Sequence, residues 1–359
     1  MSFQPINIDK TKPGKNQESK RRLKEFIGES DFMRMYSNPE KILDMIFIHR
    51  FKKTSGICPT PKCGRYIRDY TKVKNKPAYK CGCGVKVYPL KGTPLEQCRT
   101  SLPTIMRIIY DIFASKHGLE VVSLLRRKIV QKYQTAQNLN RIISDWMAMC
   151  ILQQSFQENS NIEMDEVYPV VGTDDQRRKN DRRTQPVFVL LERETGLVKV
   201  YPVESANTAS ARKILEINNL NKRHTIYTDD SRIYGPLKID YEIHSVNHSK
   251  KEYAKNEIVT RLQGMEIKRV EIHNSTNRNE NFNRSVKIAV HRVHNGVTKT
   301  HLPEYIYQMA FIRSFAQYNA NQIVDRMMEA LPPLFINGKK RASNNPYVEP
   351  LWNWDQRAA

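Results

Sequence analysis

The chain has 359 residues, with 59 Lys plus Arg against 37 Asp plus Glu and a formal charge of +22. That length allows two or three domains, and so large a positive excess in a folded chain points to a polyanionic partner, nucleic acid first, although a ribosome-associated or anionic-membrane protein would carry similar charge. No apolar run approaches the roughly 18 residues of a membrane span, the first residues lack the apolar centre of a signal peptide, and four of the six cysteines crowd between positions 58 and 83, which argues for metal in a reducing compartment and against a disulfide framework.

Residues 1–50 read as a Lys-rich arm, solvated or phosphate-binding, followed by a lead-in helix on Ile42, Leu43, Ile46 and Phe47. Residues 51–98 carry Cys58 and Cys63, then Cys81 and Cys83, each pair followed by a glycine (Gly64, Gly84) that lets the backbone turn beneath a bound ion. Two close pairs on two hairpin tips supply the four thiolates of a tetrahedral Zn2+ site in a zinc ribbon. Buried free thiols or a metal-free ribbon are the alternatives. Cys98 and Cys150 stand apart as plain thiols.

Residues 99–156 are helical throughout. Leu102, Ile105, Ile108, Ile109, Ile112 and Phe113 mark one helix, Val121 to Leu125 a second, and Leu139, Ile142, Ile143 and Trp146 a third. Short helix, turn, helix with Arg126, Arg127, Lys128, Gln134, Gln137, Asn138 and Arg141 is the layout of a helix-turn-helix that meets DNA; a three-helix spacer fits the same pattern.

After Gln154 the periodicity turns to strands. IEMDEVYPVV, PVFVLLER and GLVKVYPVE read as three strands, 208–218 as a helix capped by Thr208, then HTIYTDD and YEIHSVN as two more strands, with 271–287 taken as helical. Three strands, helix, strand, helix, strand, helix is the order of an RNase H-like domain, here 157–318, a mixed sheet with ligands gathering at its strand ends. A helix and an aromatic tail (319–359, with Trp352 and Trp354) close the chain. The whole is a multidomain α/β protein: zinc ribbon, helix-turn-helix, then the mixed-sheet domain. Asp165 in the first strand and Asp229 at the end of the fourth are expected to converge, with Glu280 arriving from the later helix. Three carboxylates in one place call for divalent cations, two Mg2+ or Mn2+, of the kind that drive phosphoryl transfer. Strand alternation lets only one of Asp165 and Glu166, and one of Asp229 and Asp230, face the site. Glu280 and Lys287, seven residues apart, leave the same helix face, and Lys287 suits a phosphate. His248 reads equally as a phosphate-positioning group or a hydrogen-bonded strand-end residue, and Lys250 and Lys251 as DNA-backbone contacts.

Over about residues 35–315 the motifs resemble the DDE transposases of the zinc-ribbon insertion-sequence group, the ISXO type, to which the eukaryotic Merlin elements are related. The resemblance rests on the CP…CG knuckle, on YKCGCGVKVYPLKGTPLE, MDEVY, TDDSRIY and VNHSKKEY, and on the His–Asn…Glu…Lys block at 273–287. The second knuckle is one residue shorter than the usual C-x2-C, and extra residues separate His273 from Glu280. Family membership would imply an enzyme that binds terminal inverted repeats and catalyses metal-dependent strand cleavage and transfer. Asp165, Asp229 and Glu280 would be its catalytic metal ligands, with Asn274 or Asn277 as alternative donors at the third position. It would work as a homodimer or higher on double-stranded DNA, with no membrane, in the cytoplasm or nucleoid of a prokaryote or the nucleus of a eukaryote. The rival functions are a domesticated, non-catalytic DNA-binding protein and a nuclease without strand transfer.

Overall fold

The computed structural model describes residues 27–96, 98–172, 183–246, 254–263, 266–294 and 296–334. Two helices come first, α1 (Glu29–Met35) and α2 (Pro39–Lys52). Asn38 caps α2 by accepting from Glu40 N–H at 2.8 Å, and Pro39 supplies a pre-set first turn. The helix is apolar on two stripes. Ile42 and Ile46 enter the main core, while Leu43, Phe47 and Phe51 enter a smaller one with Tyr79, Val87 and Leu334. That small core is the underside of a three-stranded antiparallel sheet, β1 (Tyr70–Lys72), β2 (Tyr79–Cys81) and β3 (Lys86–Val87), with Phe47 stacked on Tyr79 at 3.9 Å. Arg50, fully buried, fastens the sheet to the end of the last helix. Its guanidinium donates to the carbonyls of Pro89, Lys91, Pro332 and Pro333.

Three helices follow: α3 (Leu102–Ala114), α4 (Val121–Arg126) and α5 (Tyr133–Leu152). Ile105, Ile108, Ile109 and Ile112 form the buried stripe of α3, each worth about 1.5–3 kcal/mol relative to exposure. The helix ends at its C-cap, Ser115, and Gly118, at φ +82°, lies in the turn beyond it, where the Gln308 side chain fills the space a Cβ would need. Gln308 Oε1 then accepts the Leu119 N–H at 2.8 Å.

The sheet domain is built from β4 (Asn161–Val167), β5 (Val170–Val171), β6 (Arg183–Thr184), β7 (Val187–Glu192) and β8 (Val198–Pro202), then α6 (Thr208–Ile217), β9 (Thr225–Asp229) and β10 (Glu242–Val246). The five-stranded sheet runs β10-β9-β4-β7-β8; β10, β9 and β4 are parallel and β4, β7 and β8 antiparallel. This mixed order agrees with the RNase H-like expectation. Pro169 splits the first expected strand into β4 and β5, since proline cannot donate to a ladder. Asn207, not Thr208, caps α6: its side chain accepts Ser210 N–H at 2.9 Å, while Thr208 Oγ1 donates to the Ile233 carbonyl. A long hairpin, β11 (Ala254–Gln263) with β12 (Glu266–Ser275), comes next, and only then α7 (Asn277–Ile288), α8 (Leu302–Ser314) and α9 (Ala320–Ala330). Residues 271–275, expected as helix, are therefore strand.

One hydrophobic core runs without interruption from Phe32 through α3, α5 and the sheet to Leu331. The α5–α8 seam adds a buried polar chain. Asn140 donates to Glu304, and Gln308 donates to Asn140 Oδ1 and Ser144 Oγ, each at 2.7 Å.

Candidate active site

The site begins with three acids on β4. Glu163 and Asp165 lie two apart, so both leave the same face of the strand. Glu163 is 1% exposed and receives the N-terminus of α7: its Oε2 accepts from Arg278 N–H at 3.1 Å and Asn279 N–H at 3.0 Å. A carboxylate there satisfies two of the open amides of the first turn and opposes the helix dipole. Its other oxygen accepts from Arg193 Nε at 2.9 Å, and the Arg193 guanidinium stacks on Tyr227. Asn279, fully buried, donates to the carbonyls of Glu163 and Val189. Four residues on, Asn283 Nδ2 donates to Asp165 Oδ2 at 2.7 Å. Two strand residues and four helix residues both span about 6–7 Å, so α7 runs alongside β4 in step.

Asp229 enters from the neighbouring strand. β9 pairs with β4 only as far as Glu163, opposite Tyr227, and beyond that point Asp229 pairs with Val246 of β10. In the gap that opens there, oxygens of Asp165, Glu166 and Asp229 all lie within 4.8 Å of one another. Glu166 was expected to turn away. Its partner is indeed on a different element from that of Asp165, since Tyr234 O–H donates to Glu166 Oε1 at 2.5 Å, yet its carboxylate reaches the same cluster around the open edge of the strand. Burial, together with Asp229 and Asp165, pushes the Glu166 carboxyl up to about 7 against the pull of the Tyr234 hydroxyl.

Glu280 stands exposed in the first turn of α7, where it accepts from Thr276 Oγ1 at 3.5 Å, outside that trio. Asn283, one turn on, touches Asp165 instead. Lys287 follows on the same helix and is exposed. His248, Lys250 and Lys251 lie outside the described residues, as do Trp352 and Trp354.

The cluster fits a hard divalent cation. Its donors are carboxylate oxygens, and Asn283, whose Nδ2 holds Asp165 Oδ2, keeps a buried Oδ1 with no hydrogen-bond partner on the other side of the same amide.

The cysteines form a second cluster. Sγ atoms of Cys58 and Cys83 are 3.9 Å apart, those of Cys63 and Cys81 3.8 Å, and all four lie within 4.8 Å of one another. A zinc tetrahedron with bonds of about 2.3 Å has edges of about 3.8 Å, so the thiols suit that ion. Two turns bring them together. Cys58 N–H donates to the Arg65 carbonyl and Cys81 N–H to the Val85 carbonyl, with Gly64 and Gly84 at φ +63° and +92°.

The helical candidates are spread along α4 and α5. Arg126 ion-pairs with Glu120 at 3.5 Å and Arg127 with Asp111 at 2.7 Å; Lys128 is exposed. Gln134, Asn138 and Arg141 share one exposed face of α5, and Gln134 donates to Asn138. Gln137 instead turns toward α8 and bonds His301, which in turn contacts Glu304 at 2.9 Å.

Residues 158–313 match the ISXO2-like transposase domain. No curated protein matches the chain. The matched segment starts just before β4 and ends in α8, so it contains Glu163, Asp165, Glu166, Asp229, Glu280, Asn283 and Lys287.

Proposed function

We propose that this chain, with a transposase domain over residues 158–313, is a DNA transposase that binds the inverted repeats at the ends of its element and cuts and joins DNA strands. The observation that carries the reading is the meeting of Asp165, Glu166 and Asp229 at the open ends of two adjacent parallel strands, inside the matched segment. Magnesium or manganese, when bound, supplies Lewis-acid activation of the attacking hydroxyl and stabilisation of the leaving oxygen.

The chain's own residues do the rest. Asp165 and Asp229 hold the ions and Asn283 fixes the Asp165 carboxylate. Glu280, on the same helix stripe, closes the open side as third acid. Lys287 contacts a phosphate beside the scissile bond, and His248, Lys250 and Lys251 contact the strand in the same region. The thiols of Cys58, Cys63, Cys81 and Cys83 hold structural zinc and stiffen a module that, with the exposed α5 face of Gln134, Asn138 and Arg141, meets the element ends. Joining two ends calls for at least a dimer on DNA.

The test uses the full-length protein and a plasmid bearing the sequences that flank the gene. With Mg2+ or Mn2+, nicked and joined products should form, and Asp165→Asn should abolish them while leaving DNA binding in place. Cleavage that survives this substitution refutes the catalytic assignment, and cleavage without joined products would make the protein a nuclease.

A further inference from the structure

Past Asn283, α7 continues into a π-helical turn (Ala289–Val293), and the two together carry an open hollow of about 380 Å³ lined by Arg284, Lys287, Ile288, His291 and Arg292. No acid lines it. The four basic side chains are exposed, and among the described residues Arg284, Lys287 and Arg292 have no hydrogen bond or ion pair. His291 Nε2 accepts weakly from Val170 N–H at 3.5 Å, so the far end of the hollow lies against β5, while its near end begins at Arg284, next in sequence to the Asn283 that bonds Asp165. The negative end of a helix dipole accounts for a cation in the last turn, as Lys287 is, but not for Arg284 a turn earlier. The π turn that ends this helix carries His291 and Arg292, the two basic side chains of the far end.

We infer that this hollow is a phosphate track: it receives the DNA strand that runs on from the carboxylate cluster and grips its backbone for about three nucleotides. The inference rests on the transposase reading and extends the same site. From Arg284 to Arg292 the helix rises about 12 Å, too far for one phosphate to bridge, whereas successive phosphates of a duplex strand advance about 3.4 Å along the axis. A polyanion, not a free phosphate ion, matches that spread. Arg284 and Arg292 offer planar forks that suit phosphate oxygens two at a time, and half-buried Ile288 between them gives an apolar floor for a deoxyribose.

The experiment is a salt titration of binding by fluorescence anisotropy, with the full chain in magnesium-free buffer and a labelled 30-base-pair duplex of flanking sequence. Arg284→Gln/Arg292→Gln should lower the slope of log K against log salt by about 2, since each lost phosphate contact removes about 0.9, and should weaken binding at least tenfold. Arg284→Lys/Arg292→Lys, which keeps the charges, should retain the slope, and Arg223→Gln, on the turn before β9, should change neither slope nor affinity. Melting curves check that all variants are folded. If wild type binds and the glutamine pair keeps its slope and affinity, the track is refuted and the transposase reading stands. If wild type neither binds this duplex nor cleaves it when magnesium is added, both fall.

Discussion

The two clusters suited to metal make a useful contrast. The four thiols come from one short stretch, on two hairpin turns that close through their own backbone hydrogen bonds. The carboxylates come from two strands, and that of Asp165 is held by a helix residue more than 110 positions away in sequence. The first is a local knot that an ion can tie; the second exists only when β4, β9 and α7 have assembled. The two metal-suited clusters thus depend on the fold in opposite ways. Removing an ion should unmake the first site, whereas removing a distant side chain should unmake the second.

The largest expected effect is on the thiol side. Structural zinc contributes on the order of 10 kcal/mol to folding of such modules, so Cys58→Ser should empty the site by metal analysis and unfold residues 58–87, while the circular dichroism of the sheet domain stays. Collapse of the whole chain would mean that α2, which serves both cores, makes them one unit. Next, Asp165→Asn should lower strand cleavage at least about a thousandfold, or about 4 kcal/mol, with DNA affinity unchanged. Glu163→Ala should cost about 3 kcal/mol in urea melts, because it takes the buried carboxylate from half-buried Arg193 and undocks the start of α7. Asn283→Ala should weaken Mn2+ binding, followed by titration of the free ion's paramagnetic signal, about tenfold without changing stability comparably. An unaltered affinity would strip Asn283 of its role.

The smallest effect is a pH dependence on the far side of the sheet. Burial pushes the Lys199 ammonium down to about 8, against the pull of Glu192. In the unfolded chain it titrates near about 10.4. Between those values the unfolded state binds more protons, so stability rises as pH climbs through that window. Lys199→Met should flatten this rise and raise Tm at pH 7 by a few degrees; parallel pH profiles of the two proteins would break the assignment.

Much of this was legible beforehand. Alternating apolar residues around Asp165 and Asp229, and the helical spacing of Glu280 with Lys287, locate those side chains on the right kinds of element. The hairpin β11–β12 was missed although Ile258, Thr260 and Leu262 alternate before Gly264 and Ile267 follows it, a pattern of two strands about a turn. Glu166 and Asn283 carry a subtler signal. Strand alternation describes backbone faces, but a carboxylate where a strand has lost its neighbour on one side can reach around that edge, and only the parting of β4 from β9 reveals that. Asn283 is legible only once Glu163 is known to hold the helix end, since that contact sets the register. Gln137 shows the converse. Its sequence context suits a base-reading face, yet its partner His301 is 164 residues away.

Arg50 has a consequence for the chain's far end. Among the described residues its guanidinium meets the carbonyls of Pro332 and Pro333, just past α9, and those of Pro89 and Lys91 beside the cysteine hairpin. Proteolytic trimming before position 332 would strip the Pro332 and Pro333 carbonyls from a cation that has no access to water, loosening the cysteine module from a cut made far along the chain.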